Sequence, residues 1–90
     1  MARERTDSYE EIKEQQGLGH ELTLFNDEIN SFDFVIDTLV EVCGHDPISA
    51  EQCTLVAHYN GKCVVREGGS DELEPIGKEM TDRGLSISIS

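Results

Sequence analysis

The chain has no tryptophan and two prolines, and it carries seven lysines and arginines against nineteen aspartates and glutamates, for a net charge of −12. A phosphate backbone is gripped by clustered Lys and Arg. Here the basic residues are scattered, and Arg3, Arg5 and Lys13 fall within the first fourteen positions. Nucleic acid and anionic membrane are thereby excluded as expected partners, while the acidity favours solubility and cationic ligands. No apolar run approaches the roughly 20 residues of a membrane span. The opening stretch MARERTDSYEEIKEQQ lacks the apolar core of a secretory signal. Cys43, Cys53 and Cys63 make an odd number. Without a signal peptide they predict free thiols in a reducing cytoplasm rather than a disulfide framework. CxxC and HExxH spacings are also missing, so neither a metal ion nor another cofactor is expected.

At 90 residues the chain is one domain at most. Residues 1–19 are charged, Gln-rich and poor in core material, and they are expected to form a mobile extension. The folded domain is then residues 20–90. A domain of that size buries only about 60% of its unfolded surface, so its site is expected to be a shallow surface pocket.

Apolar positions set the expected elements. Glu21 to Phe25 reads as a short strand. Phe32, Val35, Ile36, Leu39, Val40 and Cys43 fall on one helical face, with Asp33, Asp37 and Glu41 on the other. Asn30 or Ser31 suits the N-cap and Gly44 the C′ position. Asp46-Pro47 restarts a helix, Asp as cap and Pro at the first helical position, and Asn60-Gly61 ends it. Lys62 to Arg66 is a short β-type stretch around Cys63-Val64-Val65. Asp71-x-x-Glu74 resembles a second capping box, placing Pro75 in a first turn where its missing N–H costs little. Leu73, Ile76 and Met80 mark this third helix, stopped by Gly84. Leu85 to Ser90 alternates with period two, a strand with one wet face. The order β-α-α-β-α-β predicts an α+β two-layer sandwich. Its three-stranded, mostly antiparallel sheet would be covered on one face by three helices.

Little in this frame suggests catalysis. Asp27 is able to orient the imidazole of His58, yet no Ser or Cys stands beside the pair and nothing builds an oxyanion hole. A binding pocket fits better. Asn26-Asp27-Glu28 lies where the first strand turns towards a helix, and His58 lies near the end of the second helix. Helices covering the sheet would bring both to one rim, above Phe32, Val35, Thr54 and Ala57. On residue types alone, the Asn-Asp-Glu run reads as readily as a plain turn, and His58 as a structural residue.

The same residues carry a resemblance. Asn26-Asp27-Glu28, then Asn30-Ser31-Phe32, then Phe34-Val35 with Leu39, followed by Ala57-His58-Tyr59-Asn60-Gly61-Lys62 and a final strand opening at Leu85, resemble the ClpS family over about residues 20–90. These are the adaptors of the bacterial Clp protease. The resemblance implies a non-enzymatic cytoplasmic monomer that binds the free N-terminus of proteins starting with a large hydrophobic residue. It hands them to the N-terminal domain of a Clp AAA+ ATPase. By the same carry-over, Asn26, Asp27 and His58 would hydrogen-bond the α-amino group and first peptide unit, and Glu28 would add negative potential. Asn30, Phe32, Val35, Thr54, Ala57 and Leu85 would line the side-chain pocket. Glu72 and Lys78 fall where the family docks its ATPase, and residues 1–19 where its mobile delivery segment lies. Three positions depart from the family pattern. Asn30 replaces a common Thr, Phe32 a common Met, and Thr54 a bulky Met that excludes β-branched first residues. The competing reading is an acidic protein-interaction domain built like the C-terminal domain of the ribosomal stalk protein, without a pocket.

Overall fold

The computed structural model describes residues 19–90, so the expected extension at 1–19 lies almost wholly outside the described residues. Six elements follow in order: β1 (His20–Phe25), α1 (Phe32–Cys43), α2 (Pro47–Asn60), β2 (Lys62–Gly68), α3 (Ser70–Asp82) and β3 (Ile87–Ile89). The sheet order is β2-β1-β3, and both pairings are antiparallel. This is the α+β architecture expected from the sequence.

Local chemistry explains most boundaries. The Ser31 hydroxyl accepts from the Phe34 N–H and caps α1, while Gly44 closes it at φ 74°. That left-handed conformation is one glycine adopts without Cβ strain. The Asp46 carboxylate accepts from Ser49 N–H ahead of Pro47, and Gly61 ends α2 at φ 93°. The packing stripe of α1 buries Val35, Thr38, Leu39 and Cys43 against a core that includes Leu22, Leu24, Leu73 and Met80. The exposed Asp33, Asp37 and Glu41 occupy its other face.

Four expectations are corrected. First, α3 starts at Ser70 behind Gly69, which makes no side-chain cap. Pro75 therefore sits inside the helix, where it removes one i→i−4 bond. Second, β2 extends to Gly68, with an irregular register opposite Leu22 and Thr23 that lets the pairing jump from Arg66 to Val64. The skipped residue, Val65, is buried, and its carbonyl accepts from His45 Nε2 at 2.6 Å. Third, Cys53 and Cys63 are joined as a disulfide, with Cα atoms 5.9 Å apart. The two are ten positions apart in sequence; the return of β2 beside α2 brings them together, and periodicity contains no trace of that. Cys43 remains a buried thiol. Burial raises its pKa to about 11 against a smaller opposing pull from Arg66. Fourth, the last strand is shorter than expected, although Ser90 still exchanges backbone bonds with Glu21 and the Ser86 carbonyl accepts from Phe25 N–H.

One residue had no signal in the apolar pattern. Gly77 is buried at the middle of α3, where a Cβ would come within 3.2–3.5 Å of Ile87, Ile89 and Leu22. Its missing side chain lets the helix lie close on the sheet. Gly77→Val is expected to destabilise the domain by about 1–3 kcal/mol through overpacking. That corresponds to a fall of roughly 4–8 °C in Tm per kcal/mol for a domain of this size. A thermal melt checks it, and an unchanged Tm would show that the sheet yields freely at this point.

Candidate functional site

The end of β1 and the end of α2 are tied by backbone. Asn26 N–H donates to Gly61 C=O at 2.9 Å, and Gly61 N–H to Ala57 C=O at 2.8 Å. The loop 26–31 and the last turn of α2 therefore meet at one corner of the molecule. A shallow hollow opens there, about 310 Å³ including the open space at its mouth. It is lined by Leu24, Phe25, Asn26, Asp27, Asn30, Phe32, Val35, Thr54 and Ala57.

Of the residues singled out in the sequence, Asn26, Asp27, Asn30, Phe32, Val35, Thr54 and Ala57 surround this hollow. His58 is exposed and stands beside it. Its ring meets the Phe32 ring edge-on at 5.1 Å and the Tyr59 ring at 5.0 Å, an arrangement favoured by the aromatic quadrupole. Glu28 is exposed and does not touch the hollow. Leu85 does not line it either: it is 4% exposed and belongs to the core. Leu24 and Phe25 are lining residues the pattern did not single out. Their signal was position, immediately before Asn26 at the strand end. Neither Glu72 nor Lys78 lines the hollow: Glu72 forms an ion pair with Arg66 at 2.6 Å, and Lys78 pairs with Asp82 at 2.8 Å.

Asp27 holds the loop together. Its Oδ1 accepts from Ile29 N–H at 3.0 Å and Asn30 N–H at 2.8 Å, and its Oδ2 accepts from Asn30 Nδ2 at 3.0 Å. This is an Asx-type turn in which the side chain takes the place of a backbone acceptor. A carboxylate has about four acceptor positions, so one remains for a guest. Burial pulls the Asp27 pKa upward, but the bonds from Asn30 and Ile29 outweigh it and hold the carboxyl below its ordinary value of 3.8. A depressed folded pKa gives stabilisation that is complete above the unfolded value and is lost as pH falls through the folded one. The loop is thus expected to stay ordered from neutral pH down through the usual carboxylate range and to loosen only below it. Carboxyl NMR checks this: an Asp27 midpoint at or above 3.8 would contradict it.

Electrostatically the corner favours cations. Asp27 and Glu28 sit in the loop, and no Lys or Arg is among the lining residues. Among the described residues no group of three or more His, Cys, Asp or Glu is arranged to hold a metal. No helix of the described residues is long and apolar enough to cross a membrane. The arrangement offers fixed oxygens at the rim and an apolar wall beneath, suited to a guest with a positive end and a hydrophobic body.

Comparison with known proteins gives two findings. The family model for the ATP-dependent Clp protease adaptor protein ClpS matches residues 16–87. A solved structure, Agrobacterium tumefaciens ClpS2 bound to L-phenylalaninamide, is similar with a TM-score of 0.75 and 26% sequence identity, over 79% of this chain and 93% of that one. No curated protein sequence matches significantly.

Proposed function

Since the chain belongs to the ClpS family of Clp protease adaptors, we propose that it binds the free N-terminus of proteins beginning with a large hydrophobic residue and delivers them to a Clp AAA+ ATPase in the cytoplasm. The observation that carries this reading is the single corner where Asn26 and Asp27 adjoin the apolar walls of Phe32, Val35 and Ala57. The similar Agrobacterium protein was solved with L-phenylalaninamide, a ligand with a free α-amino group and a benzyl side chain. Both parts of that ligand match chemistry present in this hollow.

In the proposed complex the Asn26 amide oxygen and the free acceptor position of Asp27 take two of the three ammonium hydrogens. The imidazole of His58, held edge-on by Phe32, meets the first peptide unit. Glu28 adds negative potential from outside. The guest's side chain enters between Phe32, Val35, Thr54 and Ala57. The departures from the family pattern shape selectivity. Thr54 is small, so its wall does not close against a branched Cβ, and isoleucine is accepted alongside leucine and phenylalanine. Glu72 and Lys78, each in an ion pair of its own, remain the docking candidates for the ATPase.

A fluorescence-polarisation panel of free peptides starting with Leu, Phe, Tyr, Trp and Ile tests the reading. Saturable binding of Phe and Leu is expected, with Ile within about tenfold of Leu, the scale of one methyl misfit in an apolar pocket. No binding of any of the five would overturn the proposal and favour a protein-interaction domain without a pocket.

A further inference from the structure

The polar walls of the hollow are unbalanced, and Asn30 is the reason. A side-chain amide has two donor hydrogens on nitrogen and one acceptor oxygen. The Asn30 nitrogen has acceptors on both sides: Asp27 Oδ2 at 3.0 Å and the Gly84 carbonyl at 3.0 Å. These two partners fix which end of the amide is which, because the reversed orientation would set oxygen against oxygen twice. Asn30 Oδ1 accepts no bond from any described residue, yet Asn30 lines the hollow. Thr54, the other uncharged polar residue of the inner wall, donates its hydroxyl hydrogen to the Ala50 carbonyl at 2.8 Å. It too presents only lone pairs. Apart from the Asn26 amide at the rim, where the guest's amino group is proposed to bind, the uncharged polar side chains of the wall, Asn30 and Thr54, thus offer acceptors and no free donor.

We propose that Asn30 makes the hollow select first residues whose side chains end in a hydrogen-bond donor, tyrosine above phenylalanine. The inference rests on the reading of the hollow as a pocket for an N-terminal residue. An apolar guest strips water from Asn30 Oδ1 and leaves it unpaired. A phenol of nearly the same shape replaces that water with its O–H. A site that offers hydrogen bonds to a guest discriminates strongly against the analogue lacking the matching group, whereas an apolar pocket barely registers an added hydroxyl.

Four peptides that differ only in their first residue separate donor from size: Phe, Tyr, 4-methylphenylalanine and 4-aminophenylalanine, each with a free α-amino group. Tyr and 4-aminophenylalanine are expected to bind about tenfold or more tighter than Phe and 4-methylphenylalanine. The methyl analogue fills the same space as tyrosine without a donor, so equal affinities for Tyr and 4-methylphenylalanine would overturn the proposal. If Phe binds well and Tyr does not exceed it, the donor preference fails while the N-terminus reading stands. If none of the four binds, both fail. In Asn30→Val the ratio of Tyr to 4-methylphenylalanine is expected to fall to about one. An unchanged ratio would assign the acceptor elsewhere and overturn the role of Asn30. The wild-type series decides the donor preference without reference to how well the variant folds.

Discussion

Acetylating the first residue of a Phe-starting peptide is expected to lower its affinity by about 30-fold to several thousand-fold. The estimate follows from what each part of the guest contributes. Burial of one Phe or Leu side chain is worth roughly 1.5–3 kcal/mol, which by itself corresponds to no useful affinity once the cost of association is subtracted. The remainder must come from charge-assisted bonds between the ammonium group and the acceptors of Asn26 and Asp27. Losing one partner of a buried, charged hydrogen bond costs on the order of 2–5 kcal/mol, and each 1.4 kcal/mol is a factor of about ten. Acetylation removes the charge and two of the three hydrogens in one step and adds a methyl group against the rim. The same logic gives a pH limit from the guest's side. An α-amino group loses its proton near pH 8, so binding should decline above about that value. Polarisation titrations of free and acetylated peptides between pH 6.5 and 9.5 measure both effects. Equal affinities for the two forms would remove the ammonium group, and with it the proposed function.

The second large effect concerns Asp27. Asp27→Ala is expected to reduce peptide affinity by about 100-fold while leaving the fold intact. The substitution removes the acceptor for Ile29 N–H, Asn30 N–H and Asn30 Nδ2 together. At a net value of about 1 kcal/mol for each bond, the loop 26–31 loses roughly two factors of ten in its preference for the binding geometry. The charge facing the ammonium group disappears as well. None of these bonds reaches the core, which is built on Leu22, Leu24, Leu39, Leu73 and Met80. The domain should therefore still fold cooperatively, with Tm lowered by at most roughly 12–24 °C if all three bonds contribute fully to global stability. Asp27→Asn keeps an acceptor oxygen for Oδ1's two backbone partners but lacks the charge, and it should fall between the variant and the parent. Affinity of Asp27→Ala within threefold of the parent would show that neither the turn nor its charge matters to the site.

Gly77 and the cysteines show what kind of information a pattern holds. Helical and strand periods report which residues share a face, and they placed Leu39, Leu73 and Met80 in the interior, where each is fully buried. Caps report chain direction, and Ser31, Asp46, Gly44 and Gly61 stand at the ends expected of them. Periods say nothing of how closely two elements approach. The burial of Gly77 under Ile87 and Ile89, the insertion of Val65, and the bond between Cys53 and Cys63 all depend on how one element packs against another. The capping-box expectation at Asp71 failed for a related reason. A box is a local preference worth about 1 kcal/mol, and the packing of Leu73 against the core sets where α3 begins more strongly than that.

For the site, spacing along the chain pointed to Asn26, Asp27 and His58 because each sits where an element ends, and ends of elements are where polar groups remain free to act. The family resemblance added Leu85, whose place in that pattern did not reveal that its side chain is spent in the interior. Nor does a sequence state that the carboxylate of Asp27 is mostly committed to its own loop, or that Asn30 has its nitrogen anchored and its oxygen free. Hydrogen bonds are assigned by angles and by distances of about 3 Å, and only the folded chain sets those. The sequence by itself determined the layer architecture, the order of elements and the acidic corner, since these follow from hydrophobic period, turn chemistry and charge. The tertiary structure decided the depth of the hollow and which polar atoms there remain unpaired, because both arise from contacts between segments that the chain brings together only on folding.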